Sequence, residues 1–576
     1  MSKQSISQVV VDGLVAHGVS QVFGVVGDAL NSVTEAIRTT EGIEWIGVRH
    51  EEVGAFAAGA QAQITGQIGV CAGTVGPGSL HLLNGLYDAA KSHAPVLAIA
   101  GQVPVAELRS NYFQEVDNDA VFDDVAVFTA TVTSPDQIPR LVEQAIESAV
   151  SRRGVAVLSI PGDIGPMEVD TAPVRVFQGT SRARPDEAAV ARAAALLDAA
   201  DKVTILAGIG SREGRTQVLE LAGALAAPIV STLKAKEIYD WDNPFDLGQN
   251  GLIGNPAAAD AFRDCDLLLM IGTDFPYREW FSDDVTTIQI DAAADHIGRR
   301  TTVDLGIVGD AALTLDALLP RLRGEHDRDH LENLRDSYQE WCDRQTRLTD
   351  PTHDETFTGS ARAVLDNPEG RIRPEAVAHV IGELADDDAV FTTDTGMSTV
   401  WLSRFVRMRS GQRLLGSFNL GSMANAMPQA IGVQALDRSR QVIAFAGDGG
   451  FTMLLGDLLT AVSESLPVKI FVFDNQRLGM VKLEQEEAGL PDFGTTLKNP
   501  DLAAVATAMG ATGIRIEDPA DLRDGIERAL AHDGPVVVDV LTNPDEIIIP
   551  SEPSPGQAWG FTIAKIKEAI RSVGDD

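Results

Sequence analysis

Residues 441–479 read QVIAFAGDGGFTMLLGDLLTAVSESLPVKIFVFDNQRLG, and this stretch decides the fold. An apolar run over 441–446 stops at Gly447-Asp448-Gly449. Helical spacing follows over 451–465, and a second apolar run occupies 468–473. The pattern is a βαβ unit, whose crossover is right-handed and whose strands run parallel. Asp448 and Asn475 therefore leave the carboxyl ends of the two strands side by side. Two hard oxygen ligands at a helix N-terminus make a seat for Mg²⁺ carrying a diphosphate. Gly449 and Gly450 are expected to leave the backbone bare for that approach. The competing reading is a plain strand-to-helix turn, which does not explain the register of Asn475.

The rest of the chain sets bounds on the function. At 576 residues it exceeds a single core and predicts three domains. Acidic residues number 83 against 46 basic, a net charge of -37, which argues against nucleic acid. Only ten residues are lysine, so adaptation to high salt and an ordinary acidic protein read equally. Cys71, Cys265 and Cys342 are too few and too scattered for a disulfide framework or a zinc site. No apolar run approaches the ~18 residues of a membrane span. The start, MSKQSISQVVVDGLVAHGV, lacks the marks of a signal peptide, so the cytoplasm is expected.

Alternating strand and helix patterns predict an α/β chain of three doubly wound parallel-sheet domains. The first covers 1–182, with strands expected at 22–26, 43–48, 68–72, 95–100 and 155–160 and helices at 5–17 and 51–65. The second covers 183–342, with strands at 203–207, 228–231, 266–271 and 286–290. A polar, acidic connection is expected over 343–372, then a third domain over 373–545 and a tail over 546–576. The first and third domains read as architectural relatives. In the first, Arg49-His50-Glu51 follows a strand and opens a helix; alone, Glu51 reads equally as a charge favoured at a helix N-terminus. The glycine-rich turn GTVGPGSLHLLNGLYDA at 73–89 contains His81, as readily structural as chemical. In the second, Gly208 to Gly214 is an imperfect dinucleotide fingerprint.

Gly-Asp-Gly, 24 residues, then Asp474-Asn475 resembles the motif of thiamine-diphosphate-dependent enzymes, which usually ends Asn-Asn. The resemblance implies metal contacts from Asp448, Asn475 and the Arg477 carbonyl. It implies cofactor contacts from Gly421, Ser422, Met423, Gly449 and Gly450 and from the run Gln476, Leu478, Gly479, Met480 and Val481. Met423 would wedge the cofactor into its bent form. Glu51 matches the glutamate that protonates the aminopyrimidine and so activates the cofactor, with Glu52 its solvated neighbour.

Within the family, the chain resembles the pyruvate dehydrogenase (quinone), or pyruvate oxidase, branch across nearly its whole length. VRHEEVGAFAAGA, LLGSFNLGSMANAMPQA and GDGGFTML carry this likeness. It implies FAD held by Asn250, Gly251, Leu252 and Ile253, by Thr273, Asp274, Phe275, Pro276 and Tyr277, and by Asp291. Phe113 and Gln114 fall near substrate and flavin. The implied reaction is oxidative decarboxylation of pyruvate to acetate and CO₂, with electrons passing through FAD to a quinone or oxygen. The implied assembly is a homotetramer whose first and third domains meet across subunits. The rival is the acetohydroxyacid (acetolactate) synthase branch, a carboligase whose flavin does no net redox work. Leu478 to Val481 resembles that branch. At the place of its acceptor-pocket tryptophan, however, stands Glu484, as in the oxidases, and a carboxylate poorly receives an alkyl group. Met480 replaces a phenylalanine of the quinone-linked relatives. The tail from Trp559 is amphipathic but short and acidic at its end, so it reads better as a helix packed on the body than as a membrane anchor.

Overall fold

The structure, a computed structural model, describes residues 3–170, 173–176, 182–350, 367 and 370–546. The tail from Trp559 and most of the connection after 350 lie outside the described residues. Three six-stranded sheets are present, each with every strand parallel to its neighbours. Counted along the chain within each six-stranded sheet, the strand order is 2-1-3-4-6-5 in the first domain and the third. The middle sheet runs 3-2-1-4-5-6, the order of dinucleotide-binding folds. The three doubly wound domains and the kinship of the outer two are as the sequence predicts.

Strand bounds fall within two residues of expectation wherever a continuous apolar run exists. Val442–Gly447 pairs with Lys469–Asp474, Ile443 opposite Lys469 and Gly447 opposite Phe473. Their side chains are almost wholly buried, as parallel strands covered on both faces require. Among the strands the sequence reading did not anticipate are Ala126–Thr131, Asp246–Gln249 and Leu305–Val308. All three are edge strands of their sheets. The first is only half-buried and the last alternates buried and exposed, so neither shows the apolar run by which buried strands are read.

Two expectations are corrected. The helix foreseen over 451–465 is interrupted: Asp448–Met453, a tight turn at Leu455–Asp457, then Leu458–Ser463. The break turns Asp457 toward the first domain, where its Oδ1 accepts from Arg49 N at 2.8 Å. Beyond 343 the chain is still helical, because Asp329–Thr349 is one helix of 21 residues. Leu331, Leu334 and Tyr338 bury one face of it, and that face carries the later, polar turns.

The outer domains are joined by two helices with small residues at their contact. Glu51–Thr65, bounded as expected, has a buried run from Val53 to Ala62, and Ala426–Leu436 is nearly as buried. Gln61 Nε2 donates to Gly432 O at 2.9 Å, and Gln21 Nε2 to Ala435 O at 2.8 Å. At the junction of all three domains, Glu237 is buried between Arg212 and Arg413 and accepts from Leu414 N. The Arg413 guanidinium also donates to the carbonyls of Gln63 and Ile64.

Candidate active site

Two strand-to-helix turns of the third domain face one cleft. Val442–Gly447 turns directly into the helix beginning at Asp448. Val390–Thr393 leads to Gly396, at φ +134°, which opens the helix Met397–Phe405. The cleft is lined by Asp394, Gly396, Ser398, Met423, 447–450, Asn475, Arg477 and 478–481. A Cβ added at Gly396, Gly421 or Gly447 meets nothing within 4 Å, so these glycines border open space. Gly449 and Gly450 are small for a different reason than expected. A side chain on Gly449 would stand 2.9 Å from Leu478 Cδ2, and one on Gly450 would strike the Asp394 carboxylate.

The cleft is strongly acidic. Asp448 and Asp474 are 2% and 1% exposed. Asn499 Nδ2 bridges them, donating to Asp448 Oδ2 at 2.6 Å and to Asp474 Oδ1 at 2.8 Å. Burial first, and then the Asp474 charge, pushes the Asp448 carboxyl up to about 7. Asp394 is also raised to about 7 by burial. Its Oδ1 accepts from Ala426 N at 2.8 Å, and its Oδ2 is buried without a hydrogen-bond partner. A divalent cation would offset this concentration of negative charge. Asp448, Asn475 and the Arg477 carbonyl offer hard oxygens, two helix N-termini face the cleft, and the donor set fits Mg²⁺ with a diphosphate. The side chain of Arg477 points elsewhere, paired with Asp492 at 2.5 Å, and Gln476 takes φ +56° in the turn.

Glu51 lies outside this cleft. Its carboxyl is buried, and its Oε2 stands 2.9 Å from His81 Nδ1. His50 caps the helix, its Nδ1 accepting from Glu52 N at 3.3 Å. Glu52 is not the solvated neighbour expected, since its carboxylate accepts from Asn84 Nδ2 at 2.6 Å. The loop with Phe113 and Gln114 packs on the same turn: a Cβ on Gly76 would stand 2.9 Å from Gln114 O, and one on Gly78 3.0 Å from Glu51 Oε1. Phe113 is 79% exposed, and Gln114 holds φ +64°. Glu484 is exposed on the helix Gly479–Glu487, one turn beyond cleft-lining Val481. Within one chain, Glu51, Phe113 and Gln114 thus form one group and Asp448, Asn475 and Met423 another.

In the middle domain, the residues expected at FAD come together at the carboxyl ends of their strands. The order 3-2-1-4-5-6 puts the switch point between Val203–Ala207 and Leu267–Ile271. There Gly208 and Gly210 crowd against Gly272. Gly251 packs on Phe275 and Tyr277, a Cβ on it standing 3.4 Å from each ring. Asn250 is 5% exposed, and neither of its amide atoms has a partner. Asp274 lies 3.3 Å from Arg300 and 3.7 Å from His93; burial opposes their pull, yet they hold it at about 2. Asp291 accepts from Ala293 N at 2.9 Å and stands 3.3 Å from His296. Leu252 is half-exposed, and Thr273 Oγ1 accepts from Phe275 N. Crowded glycine turns at the switch point, with the unpartnered buried amide of Asn250 after the edge strand of the same sheet, fit a dinucleotide.

Sequence reasoning missed Asp394, Gly396, Ser398 and Asn499. Asp394-Thr395-Gly396 after an apolar strand carries the same turn signal as Gly447-Asp448-Gly449 and could have been found. Asn499 gives no such signal, lying in a loop distant in sequence from both carboxylates it bridges.

The family model described as thiamine pyrophosphate enzyme, N-terminal TPP binding domain, matches residues 4–121. The central domain of that enzyme class matches 190–318, and the C-terminal TPP binding domain matches 394–540. The chain belongs to the thiamine pyrophosphate enzyme family. Among the relatives of this thiamine pyrophosphate enzyme is YdaP of Bacillus subtilis (strain 168), named only for thiamine pyrophosphate content. It is 39% identical over 576 residues, covering 98% of this chain and 96% of that protein. A pyruvate oxidase of Lactiplantibacillus plantarum is 32% identical over 547 residues, 93% of this chain and 88% of the oxidase. An acetolactate synthase of Mycobacterium bovis is also 32% identical, over 562 residues, 94% of this chain and 89% of the synthase. Among the described residues no helix is long and apolar enough to cross a membrane.

Proposed function

We propose that this thiamine pyrophosphate enzyme oxidatively decarboxylates pyruvate to acetate and CO₂, with electrons leaving through FAD to a quinone or oxygen. Overall identity supports oxidase and synthase equally, so the choice rests on one observation. That observation is Glu484, an exposed carboxylate one turn beyond the cleft, where the synthase branch carries a tryptophan. A carboxylate can orient water for hydrolysis, whereas an apolar wall suits the alkyl group of a second ketoacid.

When bound, thiamine diphosphate supplies the electron sink for decarboxylation and FAD the two-electron acceptor. The chain's own residues do the rest. Asp448, Asn475 and the Arg477 carbonyl would hold Mg²⁺ and with it the diphosphate. Met423, in the same cleft, would support the cofactor's ring system. Glu51, whose buried carboxyl is oriented by His81, would serve as the acid toward the pyrimidine ring nitrogen. Asn250, Asp291 and the 273–277 loop would hold the flavin nucleotide. Because Glu51 lies outside the diphosphate cleft, a second copy of the chain brings its own third domain to this Glu51. The assembly is therefore at least a dimer, and a homotetramer on family grounds. The cytoplasm, with peripheral membrane contact when a quinone accepts the electrons, is the compartment this reading implies.

The test is anaerobic. Purified protein with thiamine diphosphate, Mg²⁺ and FAD receives pyruvate while flavin absorbance is followed. Bleaching with acetate release supports the reading. Acetolactate accumulating while the flavin stays oxidised refutes it and favours the synthase alternative, to which Leu478 to Val481 bears some likeness.

A further inference from the structure

The start of the helix Glu51–Thr65 carries more donor chemistry than proton transfer requires. The His81 ring lies over the His50 ring, centroids 4.4 Å apart and planes 24° from parallel. Both imidazoles border the Glu51 carboxyl, and one ligand-capable atom from each of the three residues lies within 4.8 Å of the others. The Glu51 side chain is 8% exposed and that of His81 45% exposed. The acid forms a floor and the imidazoles an open rim. Among the described residues, the only side-chain partner of this buried carboxyl is His81.

We propose that His50, Glu51 and His81 form a binding site for a borderline divalent transition metal of the Zn²⁺ class, and that metal bound there excludes thiamine diphosphate. The exclusion rests on the activating role proposed above for Glu51; the metal site itself does not. Two imidazoles and a carboxylate are a three-protein-ligand zinc set, leaving the remaining position to water. The same set suits Co²⁺, Ni²⁺ and Cu²⁺ and is poor for Mg²⁺, which prefers the all-oxygen donors of the Asp448 cleft. One chain thus sorts two metals by ligand type. Bonds of about 2.1 Å in a tetrahedral shell put ligand atoms about 3.4 Å apart. Closing the triad takes up to about 1.4 Å and requires the stacked, half-exposed His81 ring to turn about its side-chain torsions until both ring planes meet at the ion. A carboxylate held as a metal ligand cannot pass a proton to a pyrimidine. The two ligands therefore compete for Glu51, and each weakens the other by the same factor.

Cobalt makes the site visible. Full-length protein freed of thiamine diphosphate is titrated with Co²⁺ in excess Mg²⁺, and the visible d–d absorption is recorded. The expected result is one Co²⁺ per chain with the intense bands of a low-coordinate nitrogen-containing site. His81→Ala and His50→Ala should each weaken uptake by at least about tenfold. Thiamine diphosphate should raise the apparent Co²⁺ dissociation constant by a similar factor. No band in the unsubstituted protein, or bands that persist in both variants, overturns the site. Uptake that thiamine diphosphate leaves unchanged overturns the exclusion. Flavin bleaching by Glu51→Gln, measured without any transition metal, decides the activating role separately.

Discussion

Replacing Gly432 by alanine tests how the two outer domains hold Glu51, the proposed activating acid. Gly432 lies inside the helix Ala426–Leu436, where alanine by propensity alone would stabilise by about 1 kcal/mol. Here the space is taken. A Cβ on Gly432 would strike Ala57 O, at 2.6 Å from Ala57 Cα and 2.8 Å from its carbonyl carbon. These are backbone atoms of the facing helix and cannot rotate away. Ordinary contact near 3.4 Å requires the two helices to separate by about an ångström. Overpacking of this kind costs about 1–3 kcal/mol, and backbone against backbone belongs at the upper end. The net expectation is a loss of about 1–2 kcal/mol. Gly59→Ala is the matched control. It lies in the facing helix, and its Cβ would meet only Ala89, 3.3 Å from its Cβ and 3.8 Å from its Cα, so the propensity gain should offset the crowding. A chain of three domains does not unfold in one step, so the assay is the midpoint of the first urea transition followed by tryptophan fluorescence. Glu51 heads the displaced helix, so pyruvate turnover should fall with Gly432→Ala and not with Gly59→Ala. Equal midpoints for the two variants would refute the argument.

Glu51→Gln should fold normally and slow pyruvate-dependent flavin reduction by about 10²–10⁴-fold, the range of a lost acid–base catalyst, as stopped-flow absorbance will measure. Asn499→Ala removes the side-chain amide that donates to both buried carboxylates; about 1–3 kcal/mol of metal-free stability should go, with Mg²⁺ restoring much of it in thermal scans. Asp448 and Asp394 sit at about 7, above their ordinary value, so the stability they add is complete at acid pH and lost as the pH rises through 7. The urea midpoint of the metal-free protein should therefore fall between about pH 4 and pH 7 for these groups and level off above. Mg²⁺ with thiamine diphosphate, which requires ionised Asp448, should bind up to about tenfold tighter per pH unit over the same range in calorimetry. Glu484→Trp should raise the ratio of acetolactate to acetate, and an unchanged ratio would count against Glu484 as the deciding residue.

The chemistry was most legible where local spacing dictates it. Gly447-Asp448-Gly449 and Asn475 line one cleft because parallel pairing of two apolar runs leaves no other place for them. The helix bounds Glu51 and Thr65 follow from a histidine cap and from Gly66 in the left-handed region at φ +71°. Strand order was not legible, because an apolar run does not say which run it lies beside. Nor was the break at Leu455–Asp457, which exists so that Asp457 can receive Arg49 N from another domain. The bridge from Asn499 was invisible for the same reason: its meaning lies wholly in tertiary contact. Pattern names each turn, and only packing says which turns share a site.

The repeated strand order has a consequence for symmetry. Glu51–Thr65 follows the second strand of its domain, and Ala426–Leu436 follows the second strand of its own. These matching elements are the ones that pack against each other, so like meets like within a single chain. By the same count, the turn after Gly69–Gly73, which leads to His81, corresponds to the turn after Val442–Gly447, which bears Asp448. On the roles proposed above, each chain is a pair of unlike halves, one with the proton chemistry and the other with the diphosphate chemistry. In the proposed dimer, a symmetric pairing of two chains would arrange four such halves about a common centre, so that two complete sites would arise together and neither alone.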